Sequence, residues 1–224
     1  MMRRIVFDIE TVGNDFEQLD KITKDYFLRF ADTPKKEEEA RQSLSFYPLT
    51  AQIVAIAMIE VETQRGGVFF QNGCEEKVRF REDNIHYLSG TEADILNWFW
   101  KHISRYEKFV TFNGRVFDCP FIAIRSAING IPAKRCLVPY RYSFEQHVDL
   151  ADQLSFYDAM RRKFNLHMWC QAFGIKSSKE DGIEGLMVKD YYLQGKYLDI
   201  ARYCLRDVEA TKELFFNWEK HIKI

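Results

Sequence analysis

Residues 3–10 read RRIVFDIE, and their alternation sets the architecture. Ile5, Phe7 and Ile9 fall on one side and Val6, Asp8 and Glu10 on the other, the period of a strand. The two acids share a face, about 7 Å apart at a rise of ~3.3 Å per residue. On an apolar strand they repel each other and lose hydration. Two arrangements relieve that: a strand end open to water, or a cation that neutralises the pair.

Working outward, residues 15–47 read as helical and solvated, with the Lys35–Arg41 charge cluster on an exposed face. Gln52 to Val61 is a dense apolar run, and TQRGG (residues 63–67) turns it into a second strand, Gly67 to Gln71, so a hairpin is expected. Lys77 to Arg81 extends the sheet. Thr91 opens an amphipathic helix carrying Ile95, Leu96, Trp98, Phe99 and Ile103, with Asp94 placed for a capping box. A strand, Phe109 to Asn113, leads through a glycine to a helix from Asp118 to Ile128, and Pro132 and Pro139 mark a long loop. His147 to Leu154, Met168 to Phe173, Leu186 to Gln194 and Lys196 to His221 supply the remaining, mostly helical, elements. There is no internal repeat, low-complexity tract or linker. The expectation is one α/β domain, residues 1–224, around a central mixed sheet flanked by helices.

Lys196 to His221 is the most informative helix. At 100° per residue, Ile200, Cys204, Val208, Thr211, Phe215 and Trp218 form an apolar stripe, while Arg202, Arg206, Glu209 and Glu213 gather on the opposite, solvent side. Asp207 falls beside the stripe and away from those charges, with Tyr203 one turn above it. An acid at the margin of a packed face needs a partner. A salt bridge or a cap supplies one ordinarily, and a cation supplies another.

The third segment is NGRVFD, residues 113–118. Asp118 stands at the start of a helix among Phe117, Phe121 and Ile122, where a helix cap and a ligand are both open readings. Pro120 suits the first turn, and Asn113 suits the turn itself.

FDIET (residues 7–11), NGRVFD (113–118) and YCLRD (203–207), in that order, resemble the three motifs of the DnaQ-like (DEDD) 3′–5′ exonucleases. The likeness is to the proofreading domain of family-B DNA polymerases and its stand-alone relatives. HVDLADQL (147–154) resembles a segment that these relatives carry between the second and third motifs. In the third motif Tyr203 stands where the DEDDy subclass has its tyrosine, and Arg202 where the other subclass has a histidine.

The resemblance implies an RNase H-like fold and two-metal hydrolysis of terminal phosphodiester bonds with release of nucleoside monophosphates. Asp8, Glu10 and Asp207 would hold one divalent cation, and Asp8 with Asp118 the second. Hard oxygen ligands suit Mg²⁺ or Mn²⁺. Tyr203 would orient the attacking water, since a phenol is a poor base at neutral pH. Thr11, Asn113 and Phe117 are the expected substrate contacts, Phe117 as a ring on which a base stacks. The implied partner is a nucleic-acid 3′ end, with single-stranded DNA favoured. An RNase D-like enzyme acting on RNA is the alternative, and a silent nucleic-acid-binding module would show itself by loss of an acid.

Bulk composition fits. The chain has 224 residues, 46% hydrophobic and 29% charged, with a net charge of −1. No global basic field attracts polyanions, so a strand must be held locally or through metal ions. The basic run Arg161, Arg162 and Lys163 reads as solvated surface, with phosphate contact as the other reading. Five cysteines form no CxxC, and the five histidines show no ligand spacing. A zinc site or disulfide framework is not expected, and a reducing cytoplasm is. No apolar run approaches the ~20 residues of a membrane span, and no secretory signal is read at the N-terminus. Asp149 and Asp152 are expected as caps or surface acids.

Overall fold

The computed structural model describes residues 3–74 and 76–223, with Asp181 described by its backbone only. The outermost residues of the expected 1–224 domain, 1, 2 and 224, lie outside them. One sheet holds β1 (Arg4–Gly13), β2 (Ala51–Glu60), β3 (Gly66–Phe70), β4 (Arg79–Glu82), β5 (Ile85–Ser89), β6 (Lys108–Thr111) and β7 (His147–Asp149). Its order is β4-β5-β3-β2-β1-β6-β7. β1, β6 and β7 run parallel, and β2 runs antiparallel to both β1 and β3. The fold is therefore the α/β mixed sheet that the order of elements suggested, in the RNase H-like form that the resemblance implied.

The period-2 reading of β1 explains why it is central. Ile5, Phe7 and Ile9 pack under α3 (Glu92–Ile103) and α4 (Asp118–Ile128), against Phe99, Trp100, Phe121 and Ile122. Rings do much of the filling, with Phe7 5.2 Å from Phe99 and 5.6 Å from Phe109 between centroids. Val6 and Val12 face the other way, toward the long helix α8 (Tyr197–His221). On that face all six residues of the expected stripe, Ile200 to Trp218, are buried. Burying one such large side chain is worth about 1.5–3 kcal/mol. α5 (Leu150–Leu154), α6 (Leu166–Phe173) and α7 (Val188–Leu193) pack around α8. Thr91 and Asp94 close a reciprocal capping box on α3, as their spacing implied.

Three segments differ from expectation. Residues 15–47 divide into α1 (Lys21–Leu28), α2 (Pro34–Gln42) and short turns, because Pro34 starts a new helix behind the Thr33 cap. The third run pairs with an additional strand, β4 against β5, across a turn in which Asp83 has φ 49°. His147 to Leu154 begins as a strand, not a helix: His147, Val148 and Asp149 are buried on both faces and extend the sheet beside β6. Three residues are too few to carry a period.

His147 tests that placement. Its ring stacks on Phe109 at 4.3 Å and bonds the Thr111 hydroxyl at 2.8 Å through Nε2. Burial, with Arg115 and Arg135 adding to it, pulls its pKa down to about 3. The unfolded chain, with a histidine near 6.5, takes up the proton first, so stability falls as pH drops from about 6.5 toward 3. His147→Asn is expected to lower the denaturation midpoint near pH 8 and to weaken its dependence on pH below about 6.5. Parallel midpoint-against-pH curves for the two proteins would reject this account.

Candidate active site

The site forms where β1 and β6 part. Their parallel pairing covers only Arg4, Ile5 and Val6 opposite Lys108, Phe109 and Val110. β1 continues alone on that side, so the N–H of Ile9 lacks a strand partner. Asp118 supplies one: its Oδ1 accepts the Ile9 N–H at 3.1 Å. This corrects the cap reading. Asp118 is the first residue of α4, Phe117 occupies the cap position, and the carboxylate is turned onto β1.

On its other side β1 pairs with β2, and the register shifts between Glu10 and Thr11. Glu10 faces Ala55 and Thr11 faces Ile53, which leaves Val54 without a partner. The Ile53 N–H is taken by the buried Glu92 at 2.7 Å. The series Val6, Asp8, Glu10, Val12 thus places two acids between core positions, on the face that α8 covers. Where α8 crosses, Cys204 sits close to the strand, its Sγ 3.4 Å from the Asp8 carbonyl oxygen and 3.8 Å from its Oδ2. Asp207 is one turn further on. Oxygens of Asp8, Glu10 and Asp207 all lie within 4.8 Å of one another.

No lysine or arginine forms a salt bridge with any of the four acids among the described residues. The electrostatics follow from that. Burial, then the charges of Asp118, Asp207 and Glu10, holds the Asp8 carboxyl well above its ordinary range. Burial, then Asp207 and Asp118, does the same to Glu10. Asp118 is pushed up to about 7, chiefly by burial. Asp207 is raised by burial and partly relieved by the Ser178 hydroxyl, which donates to Oδ1 at 2.5 Å. The buried Tyr203 hydroxyl lies beside Asp207, and burial with the charges of Asp207, Glu10 and Asp8 drives its pKa far up, so the phenol stays neutral. The Cys204 thiol is pushed up as well, by burial and Asp8, which keeps it from being a thiolate ligand. Buried acids without a salt bridge among the described residues, and with oxygen donors, fit hard divalent cations.

A cleft of about 200 Å³ opens over the acids. Asp8, Glu10, Asp118 and Asp207 line it, as do Thr11, Asn113 and Phe117. All of the expected residues except Tyr203, which stands behind Asp207, therefore border one space. Asn113 has φ 62°, a left-handed turn residue. Gly114 is required: a Cβ there would come within 2.5 Å of the Thr111 side chain. The turn is fixed by Asp149, which accepts the N–H groups of Asn113 and Arg115 at 2.8 Å each and also caps α5. The expected capping role of Asp149 is thus only half of what it does. Asp152 is buried between Arg141 and Arg115 rather than on the surface.

Ser45, Phe46 and Ser178 did not stand out in the sequence. The Ser43–Phe46 turn is tied to β1 by the Thr11 hydroxyl, which donates to the Ser45 carbonyl oxygen at 2.7 Å. Only the Ser177-x-x-Glu180 capping box marks the neighbourhood of Ser178.

Comparison with known proteins bears on the family and the fold. The family described as "predicted 3′–5′ exonuclease related to the exonuclease domain of PolB" matches residues 45–222. The chain belongs to that family, whose class is the hydrolytic exonucleases. The matched span holds Asp118, Tyr203 and Asp207, while Asp8 and Glu10 precede it. Among solved structures the family B DNA polymerase of the hyperthermophilic archaeon Pyrobaculum calidifontis is similar, with TM-score 0.62 and 19% identity. The alignment covers 98% of this chain and 25% of the polymerase, so the chain spans about a quarter of that enzyme's length, and the likeness is one of fold. No curated protein sequence matches the chain. Among the described residues no helix is long and apolar enough to cross a membrane.

Burying the acids together has a measurable cost. An acid whose folded pKa is raised to about 7 loses stability as pH climbs from about 4 to 7. Asp118→Asn keeps an oxygen for the Ile9 N–H and removes the charge. Near pH 8 in a chelator it is expected to unfold at a higher temperature than the parent, by about 2–4 °C for each kcal/mol recovered. The gap should close near pH 4. An equal or lower midpoint near pH 8 would refute a cost of burying this charge.

Proposed function

We propose that residues 1–224 act as a single 3′–5′ exonuclease domain that removes nucleoside monophosphates from the 3′ end of nucleic acid, with single-stranded DNA favoured. The observation that carries this reading is the convergence of four buried or half-buried carboxylates on one cleft, with no salt bridge to a lysine or arginine among the described residues, at the parting of two parallel strands. Asp8, Glu10 and Asp207 would hold one divalent cation, and Asp8 and Asp118 would help hold a second, Mg²⁺ or Mn²⁺ in each case. When bound, such a pair supplies Lewis-acid stabilisation of the attacking and departing oxygens of the scissile phosphate.

The chain's own residues supply the rest. Asp118 is oriented by the Ile9 N–H and Asp207 by Ser178, so each carboxylate is held before any ligand arrives. Tyr203, neutral because burial and three acids surround it, is a hydrogen-bond donor rather than a base and orients the attacking water. Thr11, Asn113 and Phe117 receive the terminal nucleotide, with the Phe117 ring under the base.

The test is digestion of 5′-labelled single-stranded DNA and RNA in Mg²⁺, Mn²⁺ or EDTA. A ladder shortening from the 3′ end is expected in either metal, faster on DNA, and absent in EDTA and in Asp8→Ala and Asp207→Ala. Full activity in EDTA or in Asp207→Ala would overturn the two-metal reading, and faster loss of RNA would assign the RNase D-like alternative. Tyr203→Phe is expected to slow turnover by about 10–10³-fold with metal affinity near that of the parent. Unchanged turnover would remove the tyrosine from the mechanism.

A further inference from the structure

The cleft does not end at the carboxylates. A second hollow of about 600 Å³ shares Phe46, Asn113 and Phe117 with it and continues along α4 toward Ile124. Its walls are the Phe46–Pro48 stretch on one side and Val116, Pro120 and Ile124 on the other, and no charged side chain lines it. Phe46 and Tyr47 are 52% and 49% exposed, so about half of each ring faces the open groove. Tyr47 also borders a third, larger hollow of about 1060 Å³ beside α1 and α2, where its ring meets Phe27 at 5.6 Å. Exposed rings at successive steps away from the acids suit planar, apolar faces arriving in series.

We propose that this groove is the track of the substrate strand upstream of its 3′ end, with Phe46 and Tyr47 as stacking platforms for the bases next to the terminal one. The inference rests on the exonuclease reading and adds to it the direction in which the strand leaves. Stacking on a ring is tolerant of sequence, since every base offers a π face. A groove without charges leaves the phosphates in solvent, so it contributes affinity that does not depend on ion release. The competing exit would run over a basic surface such as the exposed Arg161 and Arg162, where the phosphates would be gripped instead.

Steady-state kinetics separate the two. The substrates are a single-stranded oligothymidylate and the p-nitrophenyl ester of thymidine 5′-monophosphate, which is too short to reach the groove. For Phe46→Ala and Tyr47→Ala the KM for the oligonucleotide is expected to rise by about 5- to 100-fold each, from lost stacking. The slope of log KM against log salt should stay that of the parent, and turnover of the small ester should be unchanged in Tyr47→Ala, whose side chain lies outside the carboxylate cleft, which also reports an intact fold. Tyr47→Phe keeps the ring and should restore the KM. If both alanine variants keep the parent's KM while the ester is still cleaved, the track is elsewhere and the proposal fails. If Arg161→Ala with Arg162→Ala raises the KM and flattens the salt slope in their place, the strand leaves over that basic surface. Absence of metal-dependent cleavage of either substrate by the parent protein would instead defeat the exonuclease reading itself.

Discussion

The parting of β1 from β6 after Val6 is the constraint on which the rest depends. A parallel pair that stays together leaves no room between its strands, and one that separates exposes backbone donors that must be paired. Here a carboxylate takes the freed donor. Asp118 bonds the Ile9 N–H, and in doing so α4 brings its first residue against the strand that carries Asp8 and Glu10. On the opposite edge of β1 the register shift at Glu10 and the Glu92 bond to Ile53 repeat the device. One strand end is thus held open by two acids that are themselves satisfied, with the remaining acids left to face each other.

That arrangement is expensive for the isolated chain. Several acids share a water-poor space with no lysine or arginine in salt-bridge contact among the described residues, and each raises the proton affinity of the others. A protein selected only for stability would place apolar side chains at positions 8 and 10, as it does at 6 and 12 of the same face. The departure from the pattern is what supports the proposed chemistry. Around it the supporting contacts are ordinary: Ser178 on Asp207, Asp149 on the Asn113–Phe117 turn, the Cys204 thiol against Asp8.

Much of this was legible in the residue order. The alternation of residues 5–10 and the stripe from Ile200 to Trp218 gave β1 and α8 with their buried faces, because long amphipathic elements carry a repeated signal. The motif order gave the four acids and Tyr203. The three-residue β7 was not legible, since it is buried on both faces and has no period to read. Nor was the side chain of Asp118 bonding Ile9, for a favourable position at a helix start says nothing of a strand 109 residues earlier. Ser45, Phe46 and Ser178 lie in short turns whose place over the cleft is set by packing, and packing is a property of the assembled sheet.

The order of elements along the chain also has a consequence in time. Asp8 and Glu10 stand on the first strand, Asp118 near the middle, and Asp207 with Tyr203 on α8, the last described element. A chain made from its N-terminus can form the β1–β2–β3 meander early, from contacts close in sequence. Its carboxylate set stays incomplete until α8 has been synthesised and docked across β1 and β2. Assembly of the site therefore waits on α8, and a chain that has not yet made that helix cannot gather the four acids.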